Sequence, residues 1–447
     1  MARLFGTDGI RGVAGTELTP ELARSLGRAA VEVLGRHGAT QPPTFVVGRD
    51  PRESGEWLED ALTEGIVAAG GDVLLAGVEP TPAIAFMTVD LGASSGVVIS
   101  ASHNPADDNG IKFFSREGMK LPDHIEDEIE RELDRGPQPV TRRGRIAATP
   151  EGREGYAAHL VRAADARLDG MTVVVDCANG AAFRAAPRVL RELGAHVEVL
   201  HAAPNGSNIN DGCGSTDPSD LQRAVVAVAA DAGLAFDGDA DRLIAVDEKG
   251  EIVDGDQLLA IAAFDLQERG QLRHNAVVVT QMANGGLHHT LRDAGIEVVE
   301  VEVGDRNVLD ALARRDLSLG GEQSGHIIFP DLATTGDGVL TGALLLDVLD
   351  GTGQRLSTLA GIVQRTPQVL RSVPVQDPNQ LDTDRNFWRA AQEARAELGD
   401  DGRVLVRPSG TEPVVRVMVE APTWDEAERT ADDLATAVEL ACGVPER

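Results

Sequence analysis

The sequence predicts an α/β protein of three tandem, similar α/β domains with mixed sheets, followed by a C-terminal α+β domain. Three observations predict it. Short apolar runs alternate with helical-period segments, the signature of strand–helix repeats. This grammar occurs three times, each copy marked by a glycine after its first helix, at Gly71, Gly194 and Gly295. The interval is domain-sized, too long for a solenoid. After residue 366 the grammar changes to strands around a Pro-Ser-Gly-Thr-Glu-Pro turn and a final helix. The 447 residues fit this division, since about 150 residues per domain gives about three domains, with room for four small ones.

The first copy opens with a strand at 44–48, where Thr-Phe-Val-Val is β-branched and apolar. A helix is expected over 53–69, then strands at 73–76 and 96–100. The second copy has a strand at 172–176, a helix over 182–193 and strands at 197–201 and 233–236. The third has a strand at 276–280, a helix near 286–294 and strands at 298–303 and 317–320. Strands at 403–407 and 414–419 and a helix over 424–441 complete the chain. The Pro- and Gly-bearing stretch 134–153 and the charged stretch 247–256 read as linkers. The expected domains are therefore 1–148, 149–250, 251–366 and 367–447. In each α/β copy a polar, glycine-bearing cluster follows the last strand. Ligands in open α/β sheets bind beyond the carboxyl ends of strands, so the three clusters can converge on one cleft.

Composition excludes several functions. Lys plus Arg is 41 and Asp plus Glu is 72, a formal charge of −31. Such a surface repels phosphate backbones and anionic lipid heads, which argues against nucleic-acid and membrane-surface partners. Aromatics are only 3%, too few for base-stacking platforms. No apolar run approaches the roughly 18 residues of a membrane span, and no apolar leader follows Arg3. The cysteines (Cys177, Cys213, Cys442) are odd in number and widely spaced, so neither a disulfide framework nor a zinc site is indicated and a reducing cytoplasm fits best.

Asp237, Asp239 and Asp241 lie in Phe-Asp-Gly-Asp-Ala-Asp-Arg. In extended backbone they would share one side. Three carboxylates together call for a cation, and oxygen-only ligands suit Mg²⁺ or Ca²⁺. A calcium-binding EF-hand fails because Arg242 stands where that loop needs glycine; a solvated acidic turn is the competing reading. Ser102, in Ser-Ala-Ser-His-Asn-Pro at a strand end, can be a nucleophile or phosphate carrier, or belong to an ordinary polar turn. The surroundings are not a G-x-S-x-G elbow, and His103, adjacent in sequence, is expected to point away from Ser102. Asp108–Ile111 reads as a turn that feeds Lys112 back toward the Ser102 loop. Glu322, Ser324 and His326, in Gly-Glu-Gln-Ser-Gly-His, offer the donors and acceptors a polyhydroxylated ligand needs, or form a plain polar loop. Arg407, Ser409, Gly410, Thr411 and Arg416 combine successive backbone N–H groups, hydroxyls and guanidinium groups, an anion nest without P-loop spacing; an exposed hairpin turn is the alternative. Arg11, in the opening Gly-Thr-Asp-Gly-Ile-Arg-Gly, supplies a further cation or merely caps a turn.

Taken in order, G-T-D-G-I-R-G, S-A-S-H-N-P, D-N-G-I-K-F-F, D-G-D-A-D-R, G-E-Q-S-G-H and R-P-S-G-T-E-P resemble the α-D-phosphohexomutase superfamily, and the opening and Val174–Gly180 resemble its bacterial phosphoglucosamine mutase branch. The one departure is Ala240, where a glycine is common. The resemblance implies four domains around a central cleft and a phosphoserine at Ser102. It implies one Mg²⁺, bound by that phosphate with Asp237, Asp239 and Asp241. Glu322 and Ser324 would hold sugar hydroxyls, and Arg407, Ser409, Gly410, Thr411 and Arg416 the non-reacting phosphate. Lys112, His326 and Arg11 would serve proton transfer and charge stabilisation. The implied reaction interconverts glucosamine 6-phosphate and 1-phosphate in the cytoplasm, toward UDP-N-acetylglucosamine for the cell wall. Glucosamine or glucose 1,6-bisphosphate is the implied activator and intermediate, and a monomer or homodimer the implied assembly. A phosphomannomutase or phosphoglucomutase with the same mechanism is the alternative.

Overall fold

The computed structural model describes residues 3–6, 8–37, 42–136, 142–165, 167–399, 402–408 and 414–443. They form two compact units, one of Met1–Met282 with Ala294–Ile362 and one of Ala283–Asp293 with Val363–Arg447.

The larger unit contains three sheets. The first is built from β1 (Ile10–Val13), α1 (Pro20–Arg36), β2 (Thr44–Arg49), α2 (Glu53–Ala68), β3 (Asp72–Val78), α3 (Thr81–Asp90), β4 (Ser95–Ile99), β5 (Asp108–Phe114), α4 (Asp123–Leu133) and β6 (Ile146–Ala148). Its order is β1-β5-β4-β2-β3-β6, with β5 antiparallel to both β1 and β4 and the β4-β2-β3-β6 ladders parallel. Phe45, Val46 and Val47 in β2 and Val97, Val98 and Ile99 in β4 are fully buried, which is why these strands read as continuous apolar runs. The helix α1 begins where the Thr19 side chain accepts from Leu22 N–H and Pro20 opens the first turn. It lies close on α2, because a Cβ on Gly65 would stand 2.0 Å from the Arg24 carbonyl.

The second sheet follows α5 (Pro150–Ala163) and contains β7 (Thr172–Asp176), α6 (Ala182–Glu192), β8 (His196–Leu200), α7 (Ser219–Val228), β9 (Ala232–Phe236), β10 (Leu243–Asp247) and β11 (Ile252–Val253), in the order β11-β10-β9-β7-β8. Next come α8 (Gly255–Glu268), β12 (Ala276–Thr280), α9 (Gly285–Asp293), β13 (Glu297–Val301), α10 (Asp305–Arg315), β14 (Gly320–Gly321), β15 (Ile327–Ile328), α11 (Gly338–Thr352) and α12 (Leu356–Ala360). The third sheet has the order β13-β12-β14-β15. The smaller unit contains α9, an antiparallel sheet of β16 (Gln368–Pro374), β17 (Arg403–Pro408) and β18 (Val414–Glu420), and helices α13 (Arg385–Leu398) and α14 (Trp424–Cys442). Its own core includes Val415, Val417, Val419, Phe387 and Leu434. The fold is thus α/β with mixed sheets and a C-terminal antiparallel α+β part, as the sequence predicts.

Three local expectations are corrected. The stretch 134–153 is not simply a linker: β6 pairs with β3, and Pro150 starts α5, a position where its missing N–H costs nothing. The stretch 247–256 is a hairpin turn, β11 and the capped start of α8, where Asp254 and Gln257 form a capping box. Asp108–Ile111 is strand rather than turn, paired with β1 along its length, and Ile111 also pairs with Ile99 of β4.

Candidate active site

The metal-type triad sits on the loop joining β9 to β10. These strands pair directly, Phe236 opposite Leu243, so the loop is tight. Ala240 takes a left-handed φ of 59°, and the loop turns instead of running extended. The three carboxylates converge through that turn, not through strand alternation as the sequence reading assumed. Ligand atoms of Asp237, Asp239 and Asp241 all lie within 4.8 Å of one another, and all three residues are buried. Asp239 Oδ1 and Asp241 Oδ1 are buried without a hydrogen-bond partner. Such oxygens could receive a cation, and the oxygen-only set fits a hard divalent ion. Burial, then the charges of Asp241 and Asp239, push the Asp237 carboxyl well above the usual range.

Ser102 follows β4 and is 1% exposed. Its φ of 54° is left-handed, and its Oγ donates to Asp237 Oδ2 at 2.6 Å. The same turn brings Oγ to 3.2 Å from His103 Nδ1, so the expectation that His103 points away is corrected. The positive φ swings the following peptide and returns the next side chain to the same side. Burial, Arg242 and Arg11 pull the imidazole of His103 down to about 4.

Lys112 sits in β5, almost fully buried, with Nζ 3.0 Å from Asp239 Oδ2 and 2.9 Å from Asp8 Oδ2. Burial disfavours its charge, but Asp239 and Asp8 outweigh burial and raise the ammonium above its ordinary value. Lys120 bridges Asp8 and Asp305, each at 2.5 Å, and so ties the opening loop to the N-terminus of α10. Arg11 pairs with Asp8, while its buried Nε lacks a hydrogen-bond partner. Thr81 Oγ1 donates to Asp239 Oδ2 at 2.7 Å.

The third sheet contributes Glu322, Ser324 and His326, between β14 and β15. Glu322 Oε1 accepts from Gly304 N–H at 3.1 Å, and Ser324 Oγ is buried without a partner. His326 Nδ1 stands 3.6 Å from Asp241 Oδ2, and its Nε2 accepts from Gly336 N–H at 3.2 Å. The imidazole is buried, yet the Asp241 carboxylate outweighs burial and raises it. A Cβ on Gly336 would meet this ring at 2.4 Å, so the position requires glycine.

Ser102, the three aspartates, Lys112, Arg11, Glu322, Ser324 and His326 all belong to the larger unit. Arg407 and Arg416 belong to the smaller one, directly opposite each other on β17 and β18. Ser409, Gly410 and Thr411 fall outside the described residues. Sequence reasoning missed Asp8, Thr81, Arg52 and Asn210, each of which has a partner far away in the chain that no local motif signals. It also missed the gathering of Asp176, His201 and Cys213 within 4.8 Å. There Asp176 accepts from His201 Nδ1, Gly214 N–H and Ala178 N–H, so its oxygens are already bonded.

Comparison with known proteins decides the family. The chain matches the phosphoglucomutase/phosphomannomutase alpha/beta/alpha domains I, II and III over residues 2–139, 154–250 and 254–366, and the C-terminal domain over 370–437. It belongs to the phosphoglucomutase/phosphomannomutase family. Members of this phosphohexomutase group are isomerases, and so is this protein. A phosphoglucosamine mutase of Thermobifida fusca is 53% identical over 441 residues, 98% of each chain. One of Frankia alni is 54% identical over 454 residues, covering both chains completely. Among solved structures, a family protein of Burkholderia thailandensis is 30% identical, with a TM-score of 0.83 over 99% of each chain. The N-acetylphosphoglucosamine mutase of Aspergillus fumigatus, in complex with GlcNAc-6P and magnesium, shares the fold at 19% identity, with a TM-score of 0.72 over 98% of this chain and 96% of its own.

Proposed function

We propose that this mutase interconverts glucosamine 6-phosphate and glucosamine 1-phosphate through a phosphoserine at Ser102 and a sugar bisphosphate. In that role it would supply the precursor of UDP-N-acetylglucosamine for cell-wall synthesis. The observation that carries the reading is the buried Ser102 Oγ, 2.6 Å from the first carboxylate of an oxygen-only triad. The glucosamine assignment draws support from full-length relatives of 53% and 54% identity named phosphoglucosamine mutase.

In the first half-reaction a sugar hydroxyl attacks the phosphorus and the P–O bond to Ser102 breaks, which leaves a bisphosphate and a serine that regains its proton. The bisphosphate turns over, and Ser102 Oγ takes the other phosphoryl group, giving its proton up. Asp237, Asp239 and Asp241 would hold Mg²⁺ together with the serine phosphate; when bound, the ion neutralises charge on the phosphoryl oxygens. Phosphoryl transfer depends mainly on such neutralisation and on alignment. Lys112 and Arg11, both held charged by carboxylates, place cations beside the triad. Lys112 also donates to Asp239, which keeps that side chain oriented. His326 holds its proton against Asp241 and is a candidate donor to the oxygen that leaves. Glu322 and Ser324 would receive sugar hydroxyls, and the partnerless Ser324 Oγ supports this. Arg407, Ser409, Gly410, Thr411 and Arg416 would grip the phosphate that is not reacting.

The same reading sets domain limits near 148, 250 and 366, places the protein in a reducing cytoplasm, where its three free cysteines persist, and leaves it a monomer or homodimer acting on a small hexosamine phosphate. The test is kcat/KM for glucosamine 1-phosphate and glucose 1-phosphate in one buffer with glucose 1,6-bisphosphate present. A cationic 2-amino group making one charge-assisted hydrogen bond predicts a preference of roughly ten- to a hundred-fold. Equal or reversed values would assign the protein to glucose or mannose phosphates with the same machinery.

A further inference from the structure

A buried guanidinium outside the reacting groups organises the loop that carries Ser102. Arg52 is 0% exposed and stands just before α2. A guanidinium has five N–H donors in a fixed plane. Here Nε donates to Asp50 Oδ2 at 2.8 Å. Nη1 donates to the carbonyls of Pro105 and Asp108, the latter at 3.0 Å, and Nη2 to those of Ser102 at 3.0 Å and Asn104 at 2.9 Å. All five donors are matched, four of them to backbone of one loop. Asp50 completes the frame, since Ser100 Oγ donates to it at 2.6 Å and in turn accepts from Ser102 N–H at 2.9 Å.

Two of those carbonyls are gripped a second time from the second sheet's side. Asn210 Nδ2 donates to Ser102 O at 2.9 Å and to Asn104 O at 3.1 Å. Asn210 is itself left-handed, at φ 58°, and its N–H donates to Ala178 O at 3.0 Å. At the same point the metal-type loop passes close by: a Cβ on Gly238 would stand 2.4 Å from Ser102 O and 2.9 Å from Asn210 Nδ2. Both lone pairs of the Ser102 and Asn104 carbonyls are therefore used, one by each clamp.

We propose that Arg52 and Asn210 are positioning residues that clamp the Ser102 peptide from two sheets and so fix the serine phosphate in line with the sugar rather than with water. This rests on the phosphoserine reading given above. Neither side chain touches the reacting atoms; both act through the backbone that holds Ser102 in its left-handed conformation. Misalignment by about 1 Å costs on the order of a hundred-fold in such a transfer.

The test measures a partition ratio. The full-length enzyme is loaded with glucose 1,6-bisphosphate and desalted, and loss of the Ser102 phosphoryl mass is followed in buffer alone and after addition of glucosamine 1-phosphate. Hydrolysis relative to transfer is read only from phosphorylated molecules, so a misfolded fraction does not enter. Asn210→Ala is expected to raise this ratio about ten-fold, and Asn210→Asp further, because a carboxylate facing two carbonyls repels them. A purely space-filling role predicts the opposite order, since Asp matches Asn in volume. Arg52→Lys, with three donors in place of five, is expected to raise the ratio as well. A variant that folds but accepts no phosphoryl counts as loss of positioning. If Arg52→Lys does not fold, the two Asn210 variants decide. Ratios equal to the parent's, or Asp milder than Ala, overturn the clamp while leaving the phosphoserine reading intact. A parent enzyme that never carries the phosphoryl group on Ser102 overturns both.

Discussion

Replacing Asp237 by asparagine separates metal binding from folding. Its carboxylate is fully buried and has two like charges whose ligand atoms lie within 4.8 Å. At an effective dielectric near 20, each such pair costs at least about 3.5 kcal/mol. Arg242 offsets part of that, so Asp237→Asn is expected to relieve about 2–4 kcal/mol in metal-free protein. Asparagine keeps an acceptor oxygen for the Ser102 hydroxyl, so the loop geometry survives. In chelator the variant should therefore exceed the parent in stability, read locally from amide exchange of β9 and β10. The gap should widen as pH rises. A carboxyl held above its ordinary value in the folded state contributes stability only while protonated, and loses it as pH climbs through the folded value. Asparagine has nothing to lose there. With Mg²⁺ at about a hundred times Kd the parent gains about 2.7 kcal/mol and the variant much less, so the order closes or inverts. A variant less stable than the parent in chelator, or one that gains as much from Mg²⁺, would refute the triad as a cation site.

Ser102→Ala removes one hydroxyl from a buried turn and should abolish mutase turnover with native amide exchange preserved; residual activity above about one per cent of the parent's would mean another acceptor for the phosphoryl group. Arg416→Ala should raise KM for glucosamine 1-phosphate with kcat little changed, because the non-reacting phosphate is held in ground and transition state alike; an unchanged KM would remove the nest from the reaction. Lys112→Met strips a buried cation from Asp8 and Asp239, and should cost about 3–5 kcal/mol in chelator while tightening Mg²⁺ binding; calorimetric titration showing weaker Mg²⁺ binding would contradict the arrangement. Ala240→Gly trades relief of a left-handed alanine against unfolded-state entropy, so urea unfolding should move by less than about 1 kcal/mol in either direction, and kcat should hold.

The parts legible in the sequence are those set by local pattern. Val173–Val175, Gly233–Phe236 and Val277–Val279 are buried on both faces, and runs of that kind declare parallel-sheet strands without further context. The loop after β9 carries the carboxylates, the loop after β4 the hydroxyl and the loop after β14 the polar cluster, all in plain view. What could not be read is whatever depends on backbone handedness or distant pairing. Ser102 and His103 meet because Ser102 is left-handed, which a serine does not announce. The Lys112 Nζ lands on Asp8 and Asp239, partners so distant in the chain that no local pattern announces them. Arg52 resembles any surface arginine in Asp-Pro-Arg-Glu; its burial follows from carbonyls some fifty residues away. The stretch 247–256 looked like a linker because its strand is two residues long and its helix begins at a cap, and both signals are weak beside glycine and charge.

The left-handed residues argue that the site is assembled by tertiary contacts rather than by local preference. Ala229 and Asp316 have positive φ at the ends of α7 and α10, where a helix commonly stops that way. His274 and Asn275 have it in the turn before β12, whereas Ser102, Ala178, Asn179, Asn210 and Ala240 have it on the loops that meet at Ser102 and the triad. At about 1–2 kcal/mol for each of Ser102, Ala178 and Ala240, and less for the two asparagines, the five together cost a large share of the stability of an ordinary domain. The repayment is visible bond by bond. Asn210 N–H reaches Ala178 O, Ala181 N–H reaches Gly238 O at 2.8 Å, and Gly338 N–H reaches Ala240 O at 3.0 Å, so each strained turn is held by a loop from elsewhere in the chain. Ser102 Oγ donates to Asp237, and Asn210 Nδ2 to the Ser102 carbonyl, so the serine turn and the carboxylate loop lean on the same tertiary bonds, which neither segment supplies alone.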